Sequence, residues 1–182
     1  INGGKQQVYT QGLHISQDAI INAQLYKDNL ALGRAFSDTI HYHKAINASV
    51  VVNVAPHPAY GAGGTDALIN GVLGSNTRFA DKQWLGFWGD DLQITITFAK
   101  PTKISKISTR FYKANGQWLY APKTLEIQTD FGTLPMVKLP ATDQPILDVN
   151  LKADGITSFI KISVPSFGVI PDGFQGAGNK AW

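Results

Sequence analysis

The sequence predicts an all-β protein, an antiparallel β-sandwich or jelly roll preceded by a small β segment. Three observations lead there. Leu92, Ile94, Ile96 and Phe98 alternate with Gln93, Thr95 and Thr97, the pattern of a half-buried strand. Further strand signals at Ile104 to Tyr112, Thr124 to Thr129, Pro145 to Leu151 and Ser158 to Val164 have no helix between them. Turn chemistry separates them at Lys100-Pro101, Asn115-Gly116, Asp130-Phe131-Gly132, Asp154-Gly155 and Pro165.

Taken in order, Val8 to Phe36 is the most ambiguous segment. Ile20, Ile21, Ala23, Leu25 and Tyr26 fit an amphipathic helix, but Ala19, Ile21, Ala23 and Leu25 also alternate as a strand does. Asp28-Asn29 tolerates φ > 0, which favours two antiparallel strands joined by a tight turn. Thr39 to His43 is a further strand candidate, with Ile40 and Tyr42 on one face and His41 and His43 on the other. Val50 to Val54 is β-branched and reads as a strand buried on most of its surface. Pro56 to Gly64 tolerates no regular element, so a boundary is placed there, with a small β segment at 1–54 and the main domain at 55–182. Tyr60 lies inside that stretch as an exposed or docking aromatic. The aromatic loop Trp84-Leu85-Gly86-Phe87-Trp88-Gly89-Asp90-Asp91 then feeds the first strand of the main domain.

Composition narrows function. Hydrophobic residues make up 43% and charged residues 16% of 182, which suits a folded, loop-rich β protein and weighs against disorder. The net charge of +3 comes from scattered lysines rather than a basic stripe, so nucleic acid is not an expected partner. There is no cysteine, hence no disulfide framework and no thiolate metal site. No apolar run approaches membrane-spanning length. The first residues lack a basic and a hydrophobic leader region, so any signal peptide has been removed or lies upstream.

Catalytic patterns are sparse. Asp90 and Asp91 are adjacent carboxylates, but neighbours on a strand face opposite sides and cannot flank one scissile bond. His41 and His43 could share a metal, yet the sequence places no third ligand with them. Serine-nucleophile and phosphate-loop motifs are absent. The chain by itself is read as non-enzymatic.

Several spaced motifs carry a family resemblance covering most of the chain: Leu68-Ile69-Asn70-Gly71-Val72-Leu73-Gly74-Ser75, Trp84-Leu85-Gly86-Phe87, Asp91-Leu92 and the strand ending near Lys100-Pro101-Thr102. Together they resemble a factor V/VIII type C (discoidin-like, galactose-binding-like) domain, in the version at the C-terminal end of bacterial family-twenty β-N-acetylhexosaminidases, the chitobiase-like enzymes. Gly116 to Lys123 is similar to the tryptophan loop of that version, and Pro171-Asp172 with Gly176 to Trp182 is similar to its terminal glycine loop. His43-Lys44-Ala45 and the strands before it are similar to the segment joining the catalytic barrel to the type C domain.

The resemblance implies a non-catalytic accessory module with a galactose-binding-like jelly roll. Its partners would be a glycan containing N-acetylhexosamine or galactose and the catalytic domain of the same polypeptide, in an extracytoplasmic setting (periplasm, cell surface or secreted). No cofactor is required. A structural calcium is implied at Asn70 and Ser75, although the family usually has Asp where this chain has Asn70. The family continues past the Lys180-Ala181-Trp182 motif into a last strand that supplies an acidic residue. The barrel's catalytic Asp-Glu pair has no counterpart, so hydrolysis is implied for the parent protein only.

Sugar rings stack their C–H faces on aromatics and need planar polar partners at the same rim. Trp88, Trp118 and Tyr120 are the stacking candidates, Phe174 a further one, and Arg110 and Asn115 the polar ones. Each also has a competing packing role, and Trp84 is expected in the core. The alternative function is a scaffold that packs on the barrel or on a partner protein and binds no sugar.

Overall fold

The computed structural model describes residues 7–182. The chain is all-β, with short 3₁₀ turns and no α-helix among the described residues. Among the described residues no helix is long and apolar enough to cross a membrane.

The segment that periodicity left between helix and strand is a hairpin of β1 (Ala19–Lys27) and β2 (Leu30–Ile40). Asp28 and Asn29 have φ of 51° and 62°, as a two-residue type I′ turn requires. A register shift between Ala23 and Leu25 interrupts the ladder, and the Gln24 amide bridges it by donating to Leu32 O at 3.0 Å. The strand expected over Thr39 to His43 ends at Ile40, which forms one further bridge to Val72. His41 N–H instead donates to Gly71 O at 2.7 Å.

The main sheet begins with β3 (Ser49–Val52), antiparallel to β4 (Leu92–Tyr112). Two corrections follow. Expected to be buried on most of its surface, β3 is an edge strand: Val50 and Val52 pack on the core while Val51 is 62% exposed. It also lies upstream of residue 55, so the sandwich draws its edge from the segment assigned to the small β unit. Asn53 fastens that edge, donating to Asp91 O and accepting from Gln93 N.

Lys100-Pro101 and Asp154-Gly155 do not end strands. β4 and β8 (Ile146–Val164) are continuous and pair along their length, with register shifts between Thr97 and Thr102 and between Ile104 and Lys106. Pro101 falls inside the first irregularity, where a residue without an N–H is tolerated. Inward residues switch parity once in each strand. In β4 they run Ile94, Ile96, Phe98, Ile104 and then Ile107; in β8, Leu147, Val149, Ala153 and then Ile160, Ile162, Val164. Both halves of the ribbon thus face one core, which makes the sandwich.

The third component is β5 (Thr124–Thr129), beside the C-terminal half of β8, with two short strands on it, β6 (Gly132–Thr133) and β7 (Val137–Lys138). Leu125 and Ile127 of β5 are among the most deeply buried side chains. Gly155 is needed for a close approach, because a Cβ there would sit 2.2 Å from the Phe131 ring.

Candidate functional site

The loop Trp84 to Asp91 is held by its own backbone and rings. Gly86 exchanges hydrogen bonds with the Pro58–Tyr60 turn, donating to Tyr60 O and accepting from His57 N, both at 2.9 Å. Trp84 lies against Gly74, where a Cβ would come within 2.5 Å of the indole, and its Nε1–H donates to Ser75 O at 2.9 Å. Trp84 packs, but it is only partly buried, lies outside the core and also lines an aromatic cleft, so the core position expected for it is not the one it has.

Gly89, with φ of 70°, turns the chain so that the Lys180 stem crosses it and Trp88 faces outward, 46% exposed. Trp88 Nε1–H donates to Lys180 O at 3.1 Å, and the indole stacks on Trp182 at 5.4 Å and 20°. Trp182 meets Tyr60 edge to face at 5.0 Å and His57 at 4.7 Å. Further edge contacts run Tyr60 to Phe79, Phe79 to Tyr112 and Tyr112 to Trp84. Six rings therefore form a continuous chain from Trp88 to Trp84, each pair in a geometry the ring quadrupole favours.

This chain borders a cleft with a cavity of about 150 Å³. Leu92, Phe111, Leu119 and Val164 contribute apolar surface, and Tyr120 to Pro122 with Pro165 to Phe167 form another part of the wall. Residues with polar groups that line the cleft are Arg110, Asp90, Ser166, Tyr60, Tyr112 and Tyr120. Asp91 is occupied elsewhere, accepting from Ser166 N at 2.9 Å, so the two adjacent carboxylates have separate jobs.

The cleft brings together only part of the predicted set. Arg110 is there, but its guanidinium is already held: Nε donates to Asp148 at 2.6 Å, Nη2 to Asn76 Oδ1 at 2.9 Å, and Cζ lies 5.6 Å from the Trp84 ring centre. It is neither a free sugar ligand nor a solvated strand residue; it ties the 74–76 loop to β4. Tyr120 lines the cleft, 9% exposed, with its hydroxyl buried and without a hydrogen-bond partner. Trp88 joins the rim through Trp182.

Asn115, Trp118 and Phe174 lie outside the cleft lining. Asn115 begins the Asn115–Gln117 turn, with its side-chain oxygen buried and unpartnered. Trp118 takes φ of 63°, so it does not continue an extended segment with Tyr120. Its indole packs where a Gly176 Cβ would be, and its carbonyl accepts from Trp182 N at 2.9 Å. Phe174 is 54% exposed on the glycine loop.

Sequence reasoning missed Trp182, Phe79, His57 and Tyr112. Only Trp182 had a signal, as the last residue of a glycine-loop motif.

Asn70 and Ser75 share one loop, whose turns they make. Asn70 Oδ1 accepts from Val72 N at 2.9 Å, its Nδ2 donates to Gln83 at 2.7 Å, and Ser75 Oγ accepts from Thr77 N at 3.3 Å. Among the described residues no three His, Cys, Asp or Glu side chains gather as a metal-binding group.

No protein-family model matches the chain, and neither does any curated protein sequence at a significant level. Among solved structures, the chain is similar to chitosan-binding module 1 of a chitosanase/glucanase from Paenibacillus sp. IK-5, with a TM-score of 0.41 and 14% identity over 78% of this chain and 96% of that one.

Proposed function

We propose that this chain is a non-catalytic carbohydrate-binding module, an accessory domain of a glycoside hydrolase of the β-N-acetylhexosaminidase type. The observation that carries the binding reading is the aromatic cleft. Its rings offer flat apolar faces to sugar C–H groups, and Tyr60, Tyr112, Asp90 and Ser166 line the same cleft with polar groups for sugar hydroxyls. The Tyr120 hydroxyl is buried and has no hydrogen-bond partner, so it bears on the stability of the cleft wall rather than on the ligand. The parent enzyme rests on the sequence resemblance alone.

Titration with galactose, N-acetylglucosamine and chitin oligosaccharides, followed by tryptophan fluorescence, tests the reading. Saturable changes that weaken about tenfold in Trp88→Ala are expected. Tyr120→Phe should fold at least as stably, because it removes a buried hydroxyl without a partner. A folded chain that answers to no glycan refutes the proposal.

A scaffold role is favoured by one observation, the solvent-facing Leu25, Leu30, Leu32 and Phe36 of the hairpin. If those side chains and Trp88 become protected when a catalytic domain is attached, and glycans have no effect, the scaffold reading replaces the first. Calcium at Asn70 and Ser75 is a separate proposal, which fails if neither calcium nor a chelator moves the melting temperature.

A further inference from the structure

A second concave site lies where β2 meets residues 72–83, and it shares no lining residue with the aromatic cleft. Its cavity of about 320 Å³ is at the lower end of the size of small-molecule sites. Phe36 of β2, 54% exposed, supplies an aromatic face. Around it are two carboxylates, Asp38 and Asp81, and two cations, Arg78 and Lys82, so the lining charges cancel.

Donors and acceptors remain available there. Asp38 Oδ1 accepts from Thr39 N at 2.8 Å, while its second oxygen has no protein partner among the described residues. Gln83 Oε1 accepts from Asn70, which leaves its own NH₂ to donate. The Arg78–Asp81 contact is long, 3.5 Å, and the Arg78 side chain is 75% exposed. An anion would meet both carboxylates and a cation both basic groups, each at a cost. A neutral ring with one apolar face and several hydroxyls can lay that face on Phe36 while its hydroxyls donate to the carboxylates and accept from Arg78, Lys82 and the Gln83 amide.

We propose that this cleft is a second saccharide site, selective for a neutral, hydroxyl-rich ring stacked on Phe36. Two separate sites on one small module hold a polymeric glycan more tightly than either alone when the chain spans both.

The test uses the ¹⁵N-labelled protein, with galactose, N-acetylglucosamine and chitotriose as probes and inorganic phosphate as the charged control. Saturable shifts are expected at the Gln83 side-chain amide and at residues 36–38 for at least one sugar and not for phosphate. These shifts should persist in Trp88→Ala and weaken about five- to tenfold in Phe36→Ala and in Arg78→Ala, both exposed positions. Shifts confined to the aromatic cleft, or an affinity indifferent to Phe36→Ala with a dispersed, folded spectrum, overturn the second site and leave the first standing. Saturation by phosphate in place of sugars overturns the neutral-ligand assignment. If no sugar shifts either set of residues, both proposals fall.

Discussion

Trp84 and Trp88 are four residues apart and have opposite roles. Trp84 touches Gly74, Tyr112 and Arg110 and hydrogen-bonds to Ser75, so Trp84→Ala removes a packed ring and releases the 74–76 loop. A loss of about 3–5 kcal/mol is expected in urea denaturation. Trp88 is about half exposed, and Trp88→Ala should change stability by roughly 1 kcal/mol or less while weakening glycan binding. A pH effect arises at His43, which partial desolvation first and the neighbouring His41 second hold below the ordinary histidine value of 6.5. The unfolded chain takes up this proton more readily than the folded one. The stability it contributes is therefore fully present above about pH 6.5 and is lost as pH falls from there toward the lower folded value. The urea midpoint should drop over that range, and His43→Gln should flatten the drop.

Among the elements, the bend of the β4–β8 ribbon organises the molecule. Thr157 sits at that bend, fully buried. Its hydroxyl donates to Phe159 O at 2.6 Å and accepts from Asp130 N at 3.0 Å, joining the bend to the turn after β5. Asp130 reinforces the junction by accepting from both the backbone and the hydroxyl of Ser158, and these bonds hold its carboxyl below the ordinary carboxylate range. Thr157→Val keeps the shape but strands a buried donor and acceptor, so a loss of about 1–3 kcal/mol is expected by urea denaturation. An unchanged midpoint would show that the bend is set by the register shifts alone.

Across the whole molecule, the sandwich and the hairpin differ in how much they bury. The sandwich has a main core fed by β4, β5 and β8 and a smaller buried cluster of Tyr120, Ile170 and Ala181, whereas most of β1 and β2 is exposed and its contact with the rest is concentrated near Ala19 and Ile40. A two-stranded hairpin is marginal without a packed face. Amide exchange should therefore be orders of magnitude faster at residues 21–37 than in β4 and β8. Equal protection in both would mean that the hairpin unfolds only with the sandwich.

The alternation of Leu92 to Phe98, the β-branched runs and the Asp28-Asn29 turn determined by themselves that the chain is all-β and where most strands lie, because side-chain period and turn chemistry are local properties. Locality also explains the errors at Lys100-Pro101 and Asp154-Gly155. A proline or glycine marks a break in regular backbone, but only the partner strand decides between a turn and a bulge. The site was legible in kind and less so in membership: aromatics were expected, and Trp88, Arg110 and Tyr120 reached or bordered the cleft. Trp118 was lost to it because a left-handed backbone at that residue turns its ring onto Gly176. Trp182, Tyr60, Phe79 and Tyr112 come from four separated stretches, and only the folded ribbon and the Gly86 and Gly89 contacts place their rings in one chain. Ring packing depends on contacts between distant residues, so tertiary structure alone decided it.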